Sequence, residues 1–326
     1  MRQDLHVDDC PIRAGREDEG DKDDMKVAIG LDIGGTKIAA GVVDSRGDVL
    51  TSRRIPTGAD GTEILGQVVT LVTELRTWTA SRNCVLSGCG IGTAGVIVNN
   101  KIASANTLIP GWAGQPLSAN VESAIEAPVV VLNDVHASAL GEYFAFPRPA
   151  PHSLAVVAIG TGVGGAFVLD GRLLQGNHGL AGSIGHIPSV IQHGRRCACG
   201  ATDHVESYVG GRAMEDEYAA ETGVRLTLHE IARRAGSNDG IAARLIREAG
   251  EVLGNALTTI AEILDPRIII LNGGVIAIGH PLLDPAYAIL RNDAMLSGRV
   301  PDIAISSLHG RAAIIGAASA ALNPDR

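Results

Sequence analysis

The sequence predicts an α/β protein built on a duplicated unit, and three observations carry that prediction. An apolar run, Lys26 to Asp32 (KVAIGLD), enters the glycine turn IGGTK and resumes as a strand at Ile38 to Val43. About 125 residues further on, Leu154 to Gly160 (LAVVAIG) enters TGVGG and continues as a strand through Ala166 to Leu169. A third glycine turn, Asn272-Gly273-Gly274, follows the strand Arg267 to Leu271. The repeated strand, glycine turn, strand unit implies two related domains whose first two glycine turns face each other across a cleft.

The remaining elements follow in order. Asp44-Ser45-Arg46-Gly47 supplies turn chemistry before a strand over Asp48 to Arg53. Ile64, Val68, Leu71 and Leu75 keep helical spacing, with Thr62 as the expected N-cap. Val85 to Gly92 and Val129 to Asn133 read as buried strands, and VHASALGEYF after Asp134 as a helix. Gly240 to Leu264 carries a helical apolar stripe and ends at Asp265-Pro266. A last helix, Arg311 to Leu322, holds Gly316, Ala317 and Ala320 for close packing.

Composition bounds the function. With 326 residues and 45 % hydrophobic content, the chain has room for two domains of about 100 to 200 residues, each with its own core. The first 24 residues hold nine acids against four bases, so more than half of the net charge of -9 sits in a tail without apolar periodicity. Such a tail is repelled by phosphate and argues against nucleic acid as a partner. No apolar run reaches the roughly 18 to 20 residues of a membrane span, and the acidic N-terminus is unlike a signal peptide, which implies a cytoplasmic protein. Five cysteines, an odd and unevenly spread set, suit a reducing compartment, and Cys84 and Cys89 read as core.

Two stretches carry chemistry. Ser183 to Glu206 packs His186, Cys197, Cys199 and His204 into one loop, a donor set that suits a closed tetrahedral zinc site. Asp203 and His193 remain alternative ligands. The three glycine turns offer amide N–H groups to phosphate oxygens, and none is a Walker loop or a clean GxGxxG fingerprint. A kinase or ATPase of paired domains fits them, with Asp32 as the acid at the phosphate end or as the cap of its own turn. Asn133-Asp134 closes a strand and opens a helix, where open α/β sheets bind ligands. There a carboxylate can take the proton of a hydroxyl nucleophile, or simply cap the helix.

The ordered set DIGGTK (Asp32 to Lys37), GIGTAG (Gly90 to Gly95), NTLIPGW (Asn106 to Trp112), LND (Leu132 to Asp134), GTGVGG (Gly160 to Gly165), GxIGH (Gly182 to His186), CxCG (Cys197 to Gly200) and Asp265-Pro266 to Gly274 resembles the ROK family of bacterial sugar kinases and sugar-responsive repressors, from about Met25 to Leu322. The resemblance implies duplicated actin-like, ribonuclease-H-like ATPase domains around a central cleft: 1–24 as tail, 25–147 and 148–310 as domains, 183–206 as zinc loop, and helix 311–326 packing back on the first domain. It implies ATP, Mg²⁺ and a structural Zn²⁺, and a homodimer or homotetramer. Asp134 is the expected catalytic base. Asn106, Asn133, Asp134, Ser183, His186 and Glu206 are expected to bind the acceptor. Asp32, Gly34, Gly35, Thr36, Lys37, Gly160, Thr161, Gly162, Gly164, Gly273 and Gly274 are expected to serve phosphate and nucleotide.

Three departures from the family pattern stand out: Ser183 replaces a glutamate, Ala94 a proline, and Asp203-His204 stand where Gly-Cys is usual. Ser183 exchanges a carboxylate for a short hydroxyl, which points to a non-glucose acceptor such as an amino sugar or a C7-cyclitol, beside the ordinary hexose that the family resemblance implies. The repressors of the family carry a DNA-binding domain ahead of the first strand, where this chain has the acidic tail, so the expectation is an enzyme that transfers the γ-phosphate of ATP to a primary sugar hydroxyl.

Overall fold

The computed structural model describes residues 25–105, 109–147, 149–292 and 300–323. The tail 1–24, Asn106 and the end of the chain at 324–326 lie outside the described residues. Strands β1 (Lys26–Ile33), β2 (Lys37–Asp44) and β3 (Val49–Pro56) form an antiparallel meander, and α1 (Gly61–Ala80) follows. Then come β4 (Val85–Thr93), the short hairpin β5 (Val96–Val98) and β6 (Lys101–Ser104), α2 (Leu117–Ile125), β7 (Val129–Asn133) and α3 (Asp134–Ala145). The second half runs β8 (Ser153–Ile159), β9 (Val163–Leu169), β10 (Arg172–Leu173), α4 (Glu206–Val209), α5 (Gly211–Thr222), α6 (Leu228–Ala235), α7 (Gly240–Leu264), β11 (Ile268–Asn272), α8 (His280–Asn292), β12 (Asp302–Ile305) and α9 (Ala312–Leu322).

The two large sheets repeat one topology. The first has the order β3-β2-β1-β4-β7 and the second β10-β9-β8-β11-β12, so each places its meander on one side of its first strand and two later strands on the other. β4 and β7 run parallel to β1, as β11 runs parallel to β8 and β12. This is the duplicated ribonuclease-H-like arrangement. Among the described residues, 25–150, 167–181 and 307–323 form one compact unit, and 151–166 and 182–306 the other.

In the first unit β1 and β2 are buried on both faces, which explains their nearly unbroken apolar runs. One face packs Val27, Ile29 and Leu31 against Ile64, Val68, Leu71 and Leu75 of α1. The other face is made of glycine where α9 crosses it. Gly30 pairs with Gly41 on β2 and with Gly90 on β4. A Cβ at Gly30 would lie 2.0 Å from the Ile314 carbonyl oxygen, and one at Gly90 would lie 1.8 Å from that of Ala317. The backbone of α9 therefore rests directly on the sheet, which accounts for its small side chains.

Two sequence expectations are corrected. Helix α1 is capped by Asp60, not Thr62: the Asp60 Oδ1 accepts from the Thr62 and Glu63 amides at 2.9 and 3.0 Å. The start moves because Gly61, whose N–H donates to the Pro110 oxygen at 2.8 Å, already belongs to the helix. The second glycine turn is shorter than TGVGG. The Gly160 N–H donates to the Gly162 oxygen at 2.9 Å and closes it, so Gly164 and Gly165 lie in β9. Gly165 is glycine for packing, with its N–H on the Gly182 oxygen at 2.8 Å.

Candidate functional site

The predicted base stands where β7 ends and α3 begins. Asn133 is the N-cap of α3: its Oδ1 accepts from the Val135 and His136 amides at 2.9 and 3.4 Å, and its Nδ2 donates to the Gly95 oxygen at 3.1 Å. Asp134 is the first helical residue, half-buried, and its Oδ1 accepts from the Val135 amide at 3.0 Å. The two residues thus exchange the capping roles that a turn Asn and a capping Asp would take. Burial raises the Asp134 carboxyl above its ordinary range, against the Val135 N–H bond that lowers it.

Asp32 comes close through the register. It pairs with Gly92 on β4, and a Cβ at Gly92 would lie 2.9 Å from the Ala137 Cβ and 3.5 Å from the Asp134 Cα. Only glycine lets the first turn of α3 settle beside the end of β1. Burial, and then the Asp134 carboxylate, push Asp32 up to about 6, while Lys37 and Arg54 pull it down. The adjoining turn is open: Gly35, Thr36 and Lys37 are exposed. Its shape is fixed from behind by Gly34 N–H on the Lys37 oxygen at 3.0 Å and by Thr57, whose hydroxyl donates to the Gly34 oxygen at 2.7 Å. The Gly35 and Thr36 amides have no acceptor among the described residues and are available to an anion.

The other unit holds the loop chemistry. One donor atom each from His186, Cys197, Cys199 and His204 lie within 4.8 Å of one another. Cys197 Sγ is 3.6 Å from His186 Nδ1, and Cys199 Sγ is 3.3 Å from His204 Nδ1. Zinc bonds of about 2.0 to 2.3 Å put tetrahedral ligands about 3.3 to 3.8 Å apart, so the donor set and its spacing fit that ion. Burial, with Cys199 and Glu206 close by, pushes the Cys197 thiol up to about 11, so a thiolate there needs a cation beside it.

Asp203 and His193 are held elsewhere. The Asp203 carboxylate accepts from the Gly194 and Arg195 amides at 3.0 Å each and from the Tyr208 hydroxyl at 2.6 Å. The ring of His193 packs edge-on to Tyr208. Behind them the buried Arg195 pairs with Glu217 and Glu248 at 3.3 and 2.7 Å and lies over the Tyr208 ring. Glu206 connects the cluster to the glycine turn: its Oε2 accepts from the Val163 amide at 2.9 Å, and its Oε1 is 3.8 Å from Cys197 Sγ. A Cβ at Gly162 would lie 2.3 Å from that Oε2. Gly160 and Gly274 have open space where a Cβ would be, whereas Gly273, at φ +101, packs against the Ile159 oxygen. Ser183 precedes the short helical turn Ile184–His186.

Sequence reasoning missed His136 and Arg54. His136, in the first turn of α3, is buried, and its Nε2 lies 2.9 Å from the Ala181 oxygen, to which it donates. A histidine two residues after the candidate base was the available signal. Arg54 faces Asp32 through the cross-strand row Asp32, Ala39, Arg54, which only strand register reveals.

The sequence model of the family described as ROK family matches residues 28–323. A glucokinase of Streptomyces coelicolor is 32 % identical over 324 residues, covering 92 % of this chain and 99 % of that protein. An N-acetylmannosamine kinase of Vibrio cholerae is 32 % identical over 250 residues, covering 76 % and 83 %. Among solved structures, a ROK family glucokinase from Streptomyces griseus in complex with glucose and AMPPNP superposes with a TM-score of 0.73 at 30 % identity, covering 90 % of this chain and 98 % of that one.

Proposed function

The chain belongs to the ROK family, and from that premise we propose that it is an ATP-dependent sugar kinase acting on a primary hydroxyl of a hexose or hexose-like acceptor. The observation that carries the reading is the half-buried carboxyl of Asp134 at a strand-to-helix junction, beside Asp32 and an open glycine turn. Asp134 takes the hydroxyl proton while the hydroxyl oxygen bonds to the γ-phosphorus. The bond from that phosphorus to the β,γ-bridging oxygen breaks, and ADP leaves with the electron pair. Raising a carboxyl above its ordinary range makes it a better proton acceptor near neutral pH.

The amides of Gly35 and Thr36, with Lys37, bind phosphate oxygens, and Gly160 to Gly162 with Gly274 offer further backbone to the nucleotide. Asp32 supplies a hard oxygen for Mg²⁺, which neutralises charge on the transferring group when bound. Asn133, Ser183, His186 and Glu206 are assigned to acceptor recognition. His186, Cys197, Cys199 and His204 hold a structural zinc that fixes the loop carrying His186 and Glu206. No helix among the described residues is long and apolar enough to cross a membrane.

The test is a coupled ADP-release assay over hexoses, amino sugars and cyclitols with MgATP, beside an Asp134→Asn variant. Release that depends on an acceptor and falls by about 10² to 10⁴ in the variant supports the reading. Release stimulated by no acceptor refutes the kinase, and full rate in Asp134→Asn refutes the base.

A further inference from the structure

Among the described residues, β7 is the last strand of the first sheet and one of its edges carries no neighbouring strand. Part of that edge is filled by a side chain. The β5–β6 hairpin turns on Asn99 and Asn100, at φ +50 and +59, as a two-residue turn with both central residues left-handed. From there the Asn100 carboxamide lies along β7: its Nδ2 donates to the Val129 oxygen at 3.0 Å, and its Oδ1 accepts from the Val131 amide at 3.0 Å. Residues 129 and 131 therefore turn their backbone groups away from β4. By the two-residue period of a strand, Asn133 does the same. The Val131 carbonyl and the Asn133 N–H are thus the next acceptor and donor pair on the edge, equivalent to the pair Asn100 already covers, and no strand among the described residues covers them.

This free pair opens on a cavity of about 320 Å³, lined also by Asn99, His136, Gln175 and Gly179. The walls are built rather than incidental. Gly179, at φ +69, lets its loop approach the Ile97 carbonyl so closely that a Cβ would lie 2.4 Å from it. His136 Nε2 on the Ala181 oxygen ties the same loop to α3. Among the described residues, no Asp, Glu, Lys or Arg lines the space. The one titratable side chain among the described lining residues, His136, is held below its ordinary pKa by burial and is neutral near pH 7. The carboxamides of Asn99 and Gln175 are exposed and make no hydrogen bond to the described residues.

An edge carbonyl beside an edge N–H, flanked by neutral amides, complements a neutral group that presents a donor and an acceptor side by side. Adjacent hydroxyls of a sugar or polyol do this, and the volume suits a ring rather than a lone carboxamide. We propose that the cavity along the free edge of β7 is a subsite for a neutral, polyhydroxylated group that the acceptor carries beyond the ring that is phosphorylated. The favoured acceptor is then a glycosylated hexose rather than a bare one. The assignment rests on the sugar kinase reading, because Asn133 joins the cavity wall to the residue assigned as base.

The test separates the two. Calorimetric titration of the full chain with glucose, maltose, cellobiose, gentiobiose and sucrose reads binding without catalysis, and ADP release with MgATP is measured on the same sugars. At least one disaccharide binds about tenfold tighter than glucose, as two added neutral hydrogen bonds allow. The double variant Asn99→Gly, Gln175→Leu removes both carboxamides, with glycine keeping the left-handed turn, and reduces that advantage at least threefold. No disaccharide binding more tightly than glucose, or an advantage unchanged in the double variant, overturns the subsite. Tighter disaccharide binding without ADP release on any sugar upholds the subsite and refutes the kinase.

Discussion

Gly92→Ala tests whether the base is positioned by backbone packing. The added Cβ would stand 2.9 Å from the Ala137 Cβ and 3.5 Å from the Asp134 Cα and the Leu31 oxygen. Ordinary contact begins at about 3.4 Å, so the first turn of α3 must retreat by about 0.5 Å. A misplacement of about 1 Å can cost about 10²-fold in rate, so half of that predicts roughly a tenfold fall in kcat. Overpacking of this size costs about 1 to 2 kcal/mol, which leaves the protein folded at 25 °C. Initial rates at saturating MgATP and acceptor, with a urea melt, measure both effects. Gly66→Ala is the control, since nothing lies within 4 Å of a Cβ there and the site is inside α1. A kcat within twofold of wild type, with the expected loss of stability, would refute positioning through Gly92.

Three further outcomes follow from the same contacts. Asp32 has its pKa raised from 3.8 to about 6, so its protonated form favours folding. That contribution is full below about pH 4 and is lost as pH rises through about 6; Asp134→Asn removes a like charge and flattens this slope in urea midpoints taken across that range. Chelation at neutral pH, or Cys197→Ser, removes one zinc per chain by elemental analysis and lowers the thermal midpoint, whereas Asp203→Asn keeps the metal because its carboxylate serves the loop backbone and Tyr208. Gly90→Ala sets a Cβ 1.8 Å from the Ala317 oxygen, backbone that no rotamer can move, and costs at least about 3 kcal/mol, read as loss of soluble protein or a midpoint lower by about 6 to 12 °C.

What the sequence made legible was local. Apolar runs ending at glycine marked β1, β8 and β11, and the stripe from Gly240 to Leu264 gave α7 its bounds. The donor spacing of His186, Cys197, Cys199 and His204 gave the cluster without help from the fold. What stayed hidden depends on register or on competition between similar groups. Thr62 and Asp60 are both good caps, and the Gly61 N–H bond to Pro110, 49 residues away in sequence terms and set by tertiary packing, decides between them. Asp203 looks like a metal ligand until the Tyr208 hydroxyl and two amides claim it. The Asp32 and Arg54 row and the Asn100 cover on β7 exist only once strands are aligned.

The same distinction separates two uses of glycine that a sequence writes alike. Gly35, Gly160 and Gly274 border open space or lie exposed, as backbone meant for a ligand would. Gly141 and Gly316 serve helix packing, and they do so reciprocally. A Cβ at Gly141 of α3 would lie 2.0 Å from the Ala312 oxygen of α9, and a Cβ at Gly316 of α9 would lie 1.8 Å from the Ala137 oxygen of α3. Each helix thus contributes an alanine carbonyl and, four residues later, the glycine that receives its counterpart, as a two-fold-related pair must. α3 follows the fifth strand of the first sheet and α9 the fifth strand of the second. The duplication first seen in two glycine turns is therefore completed by this helix pair. Because α3 begins with Asp134, the helix that closes the second repeat is also what seats the proposed base.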